Sequence, residues 1–190
     1  MIKTRCKWVN DNPLMIKYHD EEWGKPLYDD KKLFEYMILD AFQAGLSWNT
    51  VINKRDNFKK AFDNFNANKI AKYNAKDIKK LLNDKGIIRN RAKINSTVIN
   101  AQKFLEIQKK YGSFSKYIWK FVNHNPINNN FSNISQLPPK TLISDEMSND
   151  LKEKGFKFVG STICYAFMQA CGMVNDHTID CFRHKEVKNG

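Results

Sequence analysis

The sequence predicts an all-α fold. From position 30 to 122, apolar residues recur at steps of three and four, which puts them on one face of each successive helix. No segment sustains the alternation of a half-buried strand, and no internal repeat is present. With 190 residues the chain forms one domain, or two lobes sharing a core, and is long enough to bury a substantial interior. A hydrophobic content of 42% beside 27% charged residues is that of a soluble globular protein. No apolar run approaches the roughly 20 residues that span a bilayer, and no charged-apolar-small signal opens the chain. A cytoplasmic setting is therefore expected, with no membrane partner. The net charge of +12 favours a polyanion, nucleic acid before membrane, because no single amphipathic helix concentrates the basic residues. Lys, Asn and Ile are abundant throughout, so part of that charge is compositional bias and not a binding footprint.

Taken in order, the chain becomes informative at Cys6-Lys7-Trp8. A short helix over 13–22 starts on Pro13, stops at Gly24, and presents Tyr18, His19 and then Trp23. This segment is either an aromatic minicore or the wall of a site. The next helix begins after Asp30, with Leu33, Phe34, Met37, Ile38, Ala41 and Phe42 on one face, and ends at Gly45. Asp40 lies in its last turns, where a carboxylate meets the unfavourable negative end of the helix dipole. Gly45, Leu46 and Trp48 supply a sharp turn, an apolar tip and a large flat ring, a combination suited to gripping a planar ligand. The alternative is a solvated Asp40, a core Leu46 and a packing Trp48.

Helical signals continue over 48–54, 56–62, around Ile70, and over 75–83. The turn Asp84-Lys85-Gly86-Ile87 leads into a long helix with Ile94, Val98, Ala101, Phe104 and Leu105 on one face, broken at Gly112. A glycine there lets the backbone approach a partner, and the free amides of the next helix suit a phosphate. Arg89, Arg91 and Lys93 add charge; a plain αα-hairpin is the alternative. A short helix carries Phe114, Tyr117, Ile118 and Phe121. The Asn-, Pro- and Ser-rich stretch 123–143, which contains His124, reads as a surface connection. Ser144 can cap a helix ending at Gly155. The brief alternation over 156–159 does not establish a strand. Ile163, Cys164, Phe167, Met168 and Cys171 form a buried helical face ended by Gly172, and the charged stretch after Phe182 reads as frayed.

The four cysteines divide into two kinds. Cys164 and Cys171 share an apolar helix face and are core residues. His177 and Cys181 are one helical turn apart and can meet one ion; Cys6 with His19 would complete a tetrahedral two-sulfur, two-nitrogen zinc site. A Cys6–Cys181 disulfide is the rival, disfavoured in a cytosolic protein.

Several blocks occur in one order: Cys6-Lys7-Trp8, Tyr18 to Gly24, Gln43-Ala44-Gly45-Leu46-Ser47-Trp48, Gly86-Ile87-Ile88-Arg89, Phe121-Val122-Asn123-His124, Gly155 to Gly160, Cys164-Tyr165, and the His177–Cys181 pair. Together they resemble the 3-methyladenine DNA glycosylase I family, bacterial enzymes that remove 3-methyladenine from alkylated DNA, over residues 5–182. The resemblance implies a helix-hairpin-helix glycosylase of two helical lobes, one formed by 1–30 and 125–182 and the other by 31–124 with its hairpin near 76–105. Residues 183–190 would be a flexible tail. It also implies one structural Zn2+ on Cys6, His19, His177 and Cys181, tying the chain ends together.

The base pocket implied is Trp8, Tyr18, Trp23, Asp40 and Trp48, with Asp40 the catalytic candidate and Gly45, Leu46, Gly86, Arg89, Arg91 and Lys93 on the DNA. The partner would be double-stranded DNA containing alkylated adenine, the product free 3-methyladenine, and the protein a monomer. Members of that family usually carry Glu where this chain has Asp40, one methylene shorter, so either the helix sits closer, or a water bridges the gap, or recognition is weaker. Two rivals stand beside this reading: a non-catalytic DNA-damage binder, and a bifunctional glycosylase and lyase, which would need a pocket lysine.

Overall fold

The computed structural model describes residues 3–189, with only the backbone of the last of these. It is mostly helical, as the periodicity predicts. Helix α1 (Pro13–Glu21) has Pro at its first position and Asn12 as its cap. Helix α2 (Asp30–Gln43) is capped by Asp29 and is followed by α3 (Trp48–Ile52), capped by Ser47, and by α4 (Arg55–Ala61). The short α5 (Ala67–Ile70) leads to α6 (Ala75–Asn83), whose Asn74 and Asp77 form a reciprocal capping box. The long α7 (Arg91–Tyr111) ends at Gly112, and α8 (Phe114–Trp119) follows at once. Helices α9 (Leu142–Glu153), α10 (Ser161–Ala170) and α11 (Phe182–Asn189) complete the chain.

Helix α2 is the axis of the molecule. The sequence predicts one apolar face, yet every residue from Leu33 to Phe42 is buried, because α3, α7, α8 and α10 all pack against it. A helix surrounded in this way must bury its polar residues too. Glu35 takes a hydrogen bond of 2.7 Å from Arg55, whose other nitrogens clasp Glu22 at 2.7 and 2.8 Å, and Tyr36 donates to Glu22 at 2.5 Å. Burial pushes the Glu22 carboxyl up, but Arg55 more than reverses this and holds it down at about 2. Asp40, the other buried acid of α2, has no such partner.

Three sequence expectations need correction. Thr141, not Ser144, caps α9; Ser144 is the third residue of the helix and answers Thr141 in a capping box. The connection over 123–143 is not purely superficial, for Ile127–Asn128 pairs in parallel with Val174–Asn175 in two short strands too brief to leave a period-2 signal. In keeping with the sequence reading, 156–159 is not a strand: the buried Asn100 amide takes up the Lys157 backbone, accepting from its N–H at 2.8 Å and donating to its carbonyl at 3.0 Å. The expected flexible tail is instead helix α11, with His184 and Val187 buried and the His184 ring hydrogen-bonded to the Asn129 carbonyl at 2.9 Å.

Candidate active site and cysteine–histidine cluster

Where α1, α2, α3 and α10 converge, a cavity of about 370 Å3 opens. Its lining includes all five residues expected there: Trp8, Tyr18, Trp23, Asp40 and Trp48. The aromatic rings form a continuous wall. Tyr18 and Trp48 lie 4.9 Å apart at 42°, Trp8 and Trp23 4.9 Å apart at 71°, and Trp8 meets Tyr18 at 6.4 Å. Such tilted and edge contacts lock each ring against its neighbour, so the wall is formed before any ligand arrives.

Asp40 is 2% exposed, so it is not the solvated helix-end residue of the alternative reading. Its Oδ2 is buried with no hydrogen-bond partner among the described residues, as are the indole N–H groups of Trp8 and Trp48. Buried polar atoms are nearly always paired, and three of the four unpaired buried side-chain atoms among the described residues belong to residues that line one cavity. Burial pushes the Asp40 carboxyl well above the usual carboxylate range, with no cation beside it to oppose the shift. Tyr18 is raised for the same first reason, burial, and stays a neutral phenol.

Sequence reasoning missed several wall residues. Leu137 comes from the supposed surface connection, and Ala166 and Gln169 lie three residues apart on α10. Gln169 is a polar residue near the end of a helix that is mainly apolar after Thr162, which is the signal that could have found it. It donates to Asp176 at 2.8 Å, and Asp176 also accepts from Tyr165 and Asn129, both at 2.6 Å. A carboxylate only accepts, so the Gln169 amide is fixed with its nitrogen toward Asp176.

Behind Trp8 and Trp23 sit Cys6, His19, His177 and Cys181, all buried, with their ligand atoms all within 4.8 Å of one another. Cys181 Sγ is 3.4 Å from His19 Nε2 and 3.5 Å from His177 Nδ1, and Cys6 Sγ is 3.5 Å from His177 Nδ1. The outer ring nitrogens are already used. His19 Nδ1 donates to Asp20 at 2.8 Å, itself clasped by Arg5, and His177 Nε2 donates to the Trp23 carbonyl at 3.0 Å. Both rings therefore turn a lone pair toward the sulfurs. Gly24, at φ +76°, lets the chain pass here, since a Cβ would meet the His177 ring at 3.0 Å.

The turn after α2 projects Leu46, 43% exposed, beside the cavity mouth. Gly45 has φ +78° and open space where a Cβ would lie. The α6–α7 hairpin holds Gly86 tightly: its N–H donates to Asp84 at 2.7 Å, and an added Cβ would come within 2.9 Å of that carboxylate. Arg89 and Arg91 are exposed at the hairpin, with no acidic partner among the described residues. Lys93 departs from expectation. It is 6% exposed and directs its ammonium inward, to the carbonyls of Phe42 at 2.8 Å and Ala44 at 2.5 Å, because the end of α2 leaves those oxygens without helical partners.

The methyladenine glycosylase family model matches residues 8–184. DNA-3-methyladenine glycosylase 1 of Escherichia coli K12 is 48% identical over 177 residues, covering 93% of this chain and 95% of that protein. A crystal structure of 3-methyladenine DNA glycosylase I superposes with a TM-score of 0.92 at 46% identity, over 94% of this chain and 98% of that one. A Staphylococcus aureus 3-methyladenine DNA glycosylase I, solved to explain 3-methyladenine recognition, superposes with a TM-score of 0.91 at 36% identity, over 94% and 95% of the two chains. With a match across nearly its whole length, a shared fold and nearly half its residues in common with the E. coli enzyme, the chain belongs to the methyladenine glycosylase family.

Proposed function

We infer that the chain is a DNA-3-methyladenine glycosylase, which hydrolyses the N-glycosidic bond of 3-methyladenine in alkylated DNA. The observation that carries this reading is the aromatic cavity with its unpaired Asp40 carboxyl, in a member of this family. Methylation at N3 makes the base cationic and a good leaving group. The enzyme has chiefly to extrude the nucleotide, at a cost of a few kcal/mol, and hold it while water reaches the sugar. Tyr18 and Trp48 offer electron-rich faces to the cation, each contributing about 0.5–2 kcal/mol. Asp40 accepts from the exocyclic amine, whereas guanine would present an acceptor there and leave the carboxylate unmatched. In the empty cavity burial favours the neutral carboxyl; an arriving cation favours the carboxylate, so binding releases a proton. In the reaction the C1′–N9 bond breaks with its electron pair passing to the base, which becomes neutral. Water oxygen bonds to C1′, and its proton goes to solvent.

Contact with DNA is assigned to Gly45 and Leu46 at the cavity mouth and to Gly86, Arg89 and Arg91 at the hairpin, in the manner of a helix-hairpin-helix protein. The α6–α7 geometry and the two unpaired guanidinium groups support this. Cys6, His19, His177 and Cys181 are read as a structural zinc site. Tetrahedral Zn–S and Zn–N bonds of about 2.3 and 2.0 Å put ligand atoms roughly 3.3–3.8 Å apart, and the three sulfur–nitrogen separations of 3.4–3.5 Å suit that, within a cluster whose ligand atoms all lie within 4.8 Å. Such a site would supply cohesion and no chemistry, since four protein ligands leave no open position. The reduced thiols and the bacterial relative suit a cytoplasmic enzyme, and a monomer is proposed.

Incubation with methylated duplex tests the activity against its rivals. Free 3-methyladenine with an intact strand is the expected result. Tight binding without release would instead mark a non-catalytic damage binder. Strand scission would mark a lyase, which the cavity disfavours because no lysine lines it.

A further inference from the structure

Lys93 is a buried cation with no carboxylate beside it. Its ammonium is held only by the carbonyls of Phe42 and Ala44, at 2.8 and 2.5 Å. Its pKa is lowered by burial, the mark of a charge held at a cost. The negative end of a helix partly offsets that cost. An apolar residue would fill the same space but leave those two carbonyls unpaired, so the lysine serves the end of α2 and not packing alone.

What Lys93 joins is informative. Its backbone is fixed at the start of α7: its N–H donates to the Asn90 cap at 3.1 Å, and its carbonyl accepts from Ser96 at 2.7 Å and Thr97 at 2.9 Å. That turn of helix follows directly on the exposed Arg89 and Arg91. At the other end, Ala44 precedes Gly45 and Leu46, and Phe42 lies two residues past Asp40. The Leu46 N–H returns to the Gln43 carbonyl at 2.6 Å, so a single tight turn connects the lysine to the apolar tip. Gly45 makes this turn without any side chain to pin it, so the carbonyl contacts are what fix its position.

We propose that Lys93 is a positioning residue, which ties the DNA-side hairpin to the Ala44–Leu46 turn so that hairpin engagement sets Leu46 for extrusion of the lesion into the Asp40 cavity. It acts through the turn and touches neither phosphate nor base. This rests on the glycosylase reading and on Leu46 entering the duplex.

The test is a double-mutant cycle of Lys93→Met with Leu46→Ala, read by single-turnover release of 3-methyladenine from duplex and by fluorescence of 2-aminopurine placed beside the lesion. Lys93→Met should slow extrusion and release by about tenfold or more, as small misplacements near a reacting centre do. It should leave the affinity for free 3-methyladenine and the salt dependence of duplex binding unchanged. In the Leu46→Ala background it should cost little further. If Lys93→Met does not fold, Lys93→Gln, which keeps a donor without the charge, should show the same pattern more weakly. Additive effects, an equal loss of free-base affinity, or a salt slope reduced by one phosphate contact would each overturn the proposal. Absence of base release by the parent would count against the glycosylase reading, and the 2-aminopurine signal still decides the role of Lys93.

Discussion

Asp40 concentrates the cost and the use of the site in one side chain. Its carboxyl is buried without a cation, so folding disfavours its charged form. A carboxyl whose native pKa lies above its unfolded value leaves stability intact below the ordinary carboxylate range. Stability is then lost as pH rises from there through the native value. Asp40→Asn has no charge to desolvate, so its thermal midpoint should exceed that of the parent at neutral pH and match it near the acid end. Thermal melts across pH check this, and an Asn variant less stable than the parent at pH 7 would show that the carboxyl has a partner. The same variant should bind free 3-methyladenine more weakly, by about the 1.5–3 kcal/mol of a hydrogen bond to a charged group. Its affinity for undamaged duplex should not change. Asp40→Glu restores the residue usual in the family. It should equal or exceed parental excision if α2 has not moved closer to the base, and lower it if the extra methylene overfills the cavity.

Among the elements, the α6–α7 hairpin and the α2 terminus are the proposed contacts with DNA. Replacing Arg89 and Arg91 with Ala should weaken binding to lesion and undamaged duplex alike, as phosphate contacts do. The slope of log affinity against log salt should fall by roughly 2 if both guanidinium groups neutralise a phosphate. Equal slopes in parent and variant would remove the hairpin from the interface. The helices of the hairpin and their Gly turn were legible, because capping residues and apolar spacing act locally. The direction of Lys93 was not, because it is set by two carbonyls about 50 residues away in sequence. The all-round burial of α2 was likewise hidden, since periodicity reports one face and not how many neighbours converge. Leu137 entered the cavity wall by tertiary placement alone, whereas Trp8, Tyr18, Trp23 and Trp48 were conspicuous as aromatics.

At the scale of the whole molecule, the two ends of the chain close on each other behind the cavity. The Phe182 N–H reaches the Thr4 carbonyl at 3.0 Å, and Cys6 and His19 meet His177 and Cys181. Trp8 and Trp23 stand between this cluster and the cavity, Trp23 edge-on to His177 at 4.7 Å and Trp8 to His19 at 5.3 Å. A metal there would hold the aromatic wall in place without touching the base. Cys181→Ser should lower zinc content and thermal stability together, because metal binding free energy is in part folding free energy. Activity should fall only through loosening of the wall. Protein purified without chelators and lacking stoichiometric metal would count against the site.

The central claim is that the Asp40 cavity holds the excised base, and locating bound 3-methyladenine in a crystal of this protein tests it most directly. The base should lie against Trp48 with its exocyclic amine within hydrogen-bond distance of Asp40. Ordered density for 3-methyladenine elsewhere, or in the cavity with its amine turned away from Asp40, would contradict it.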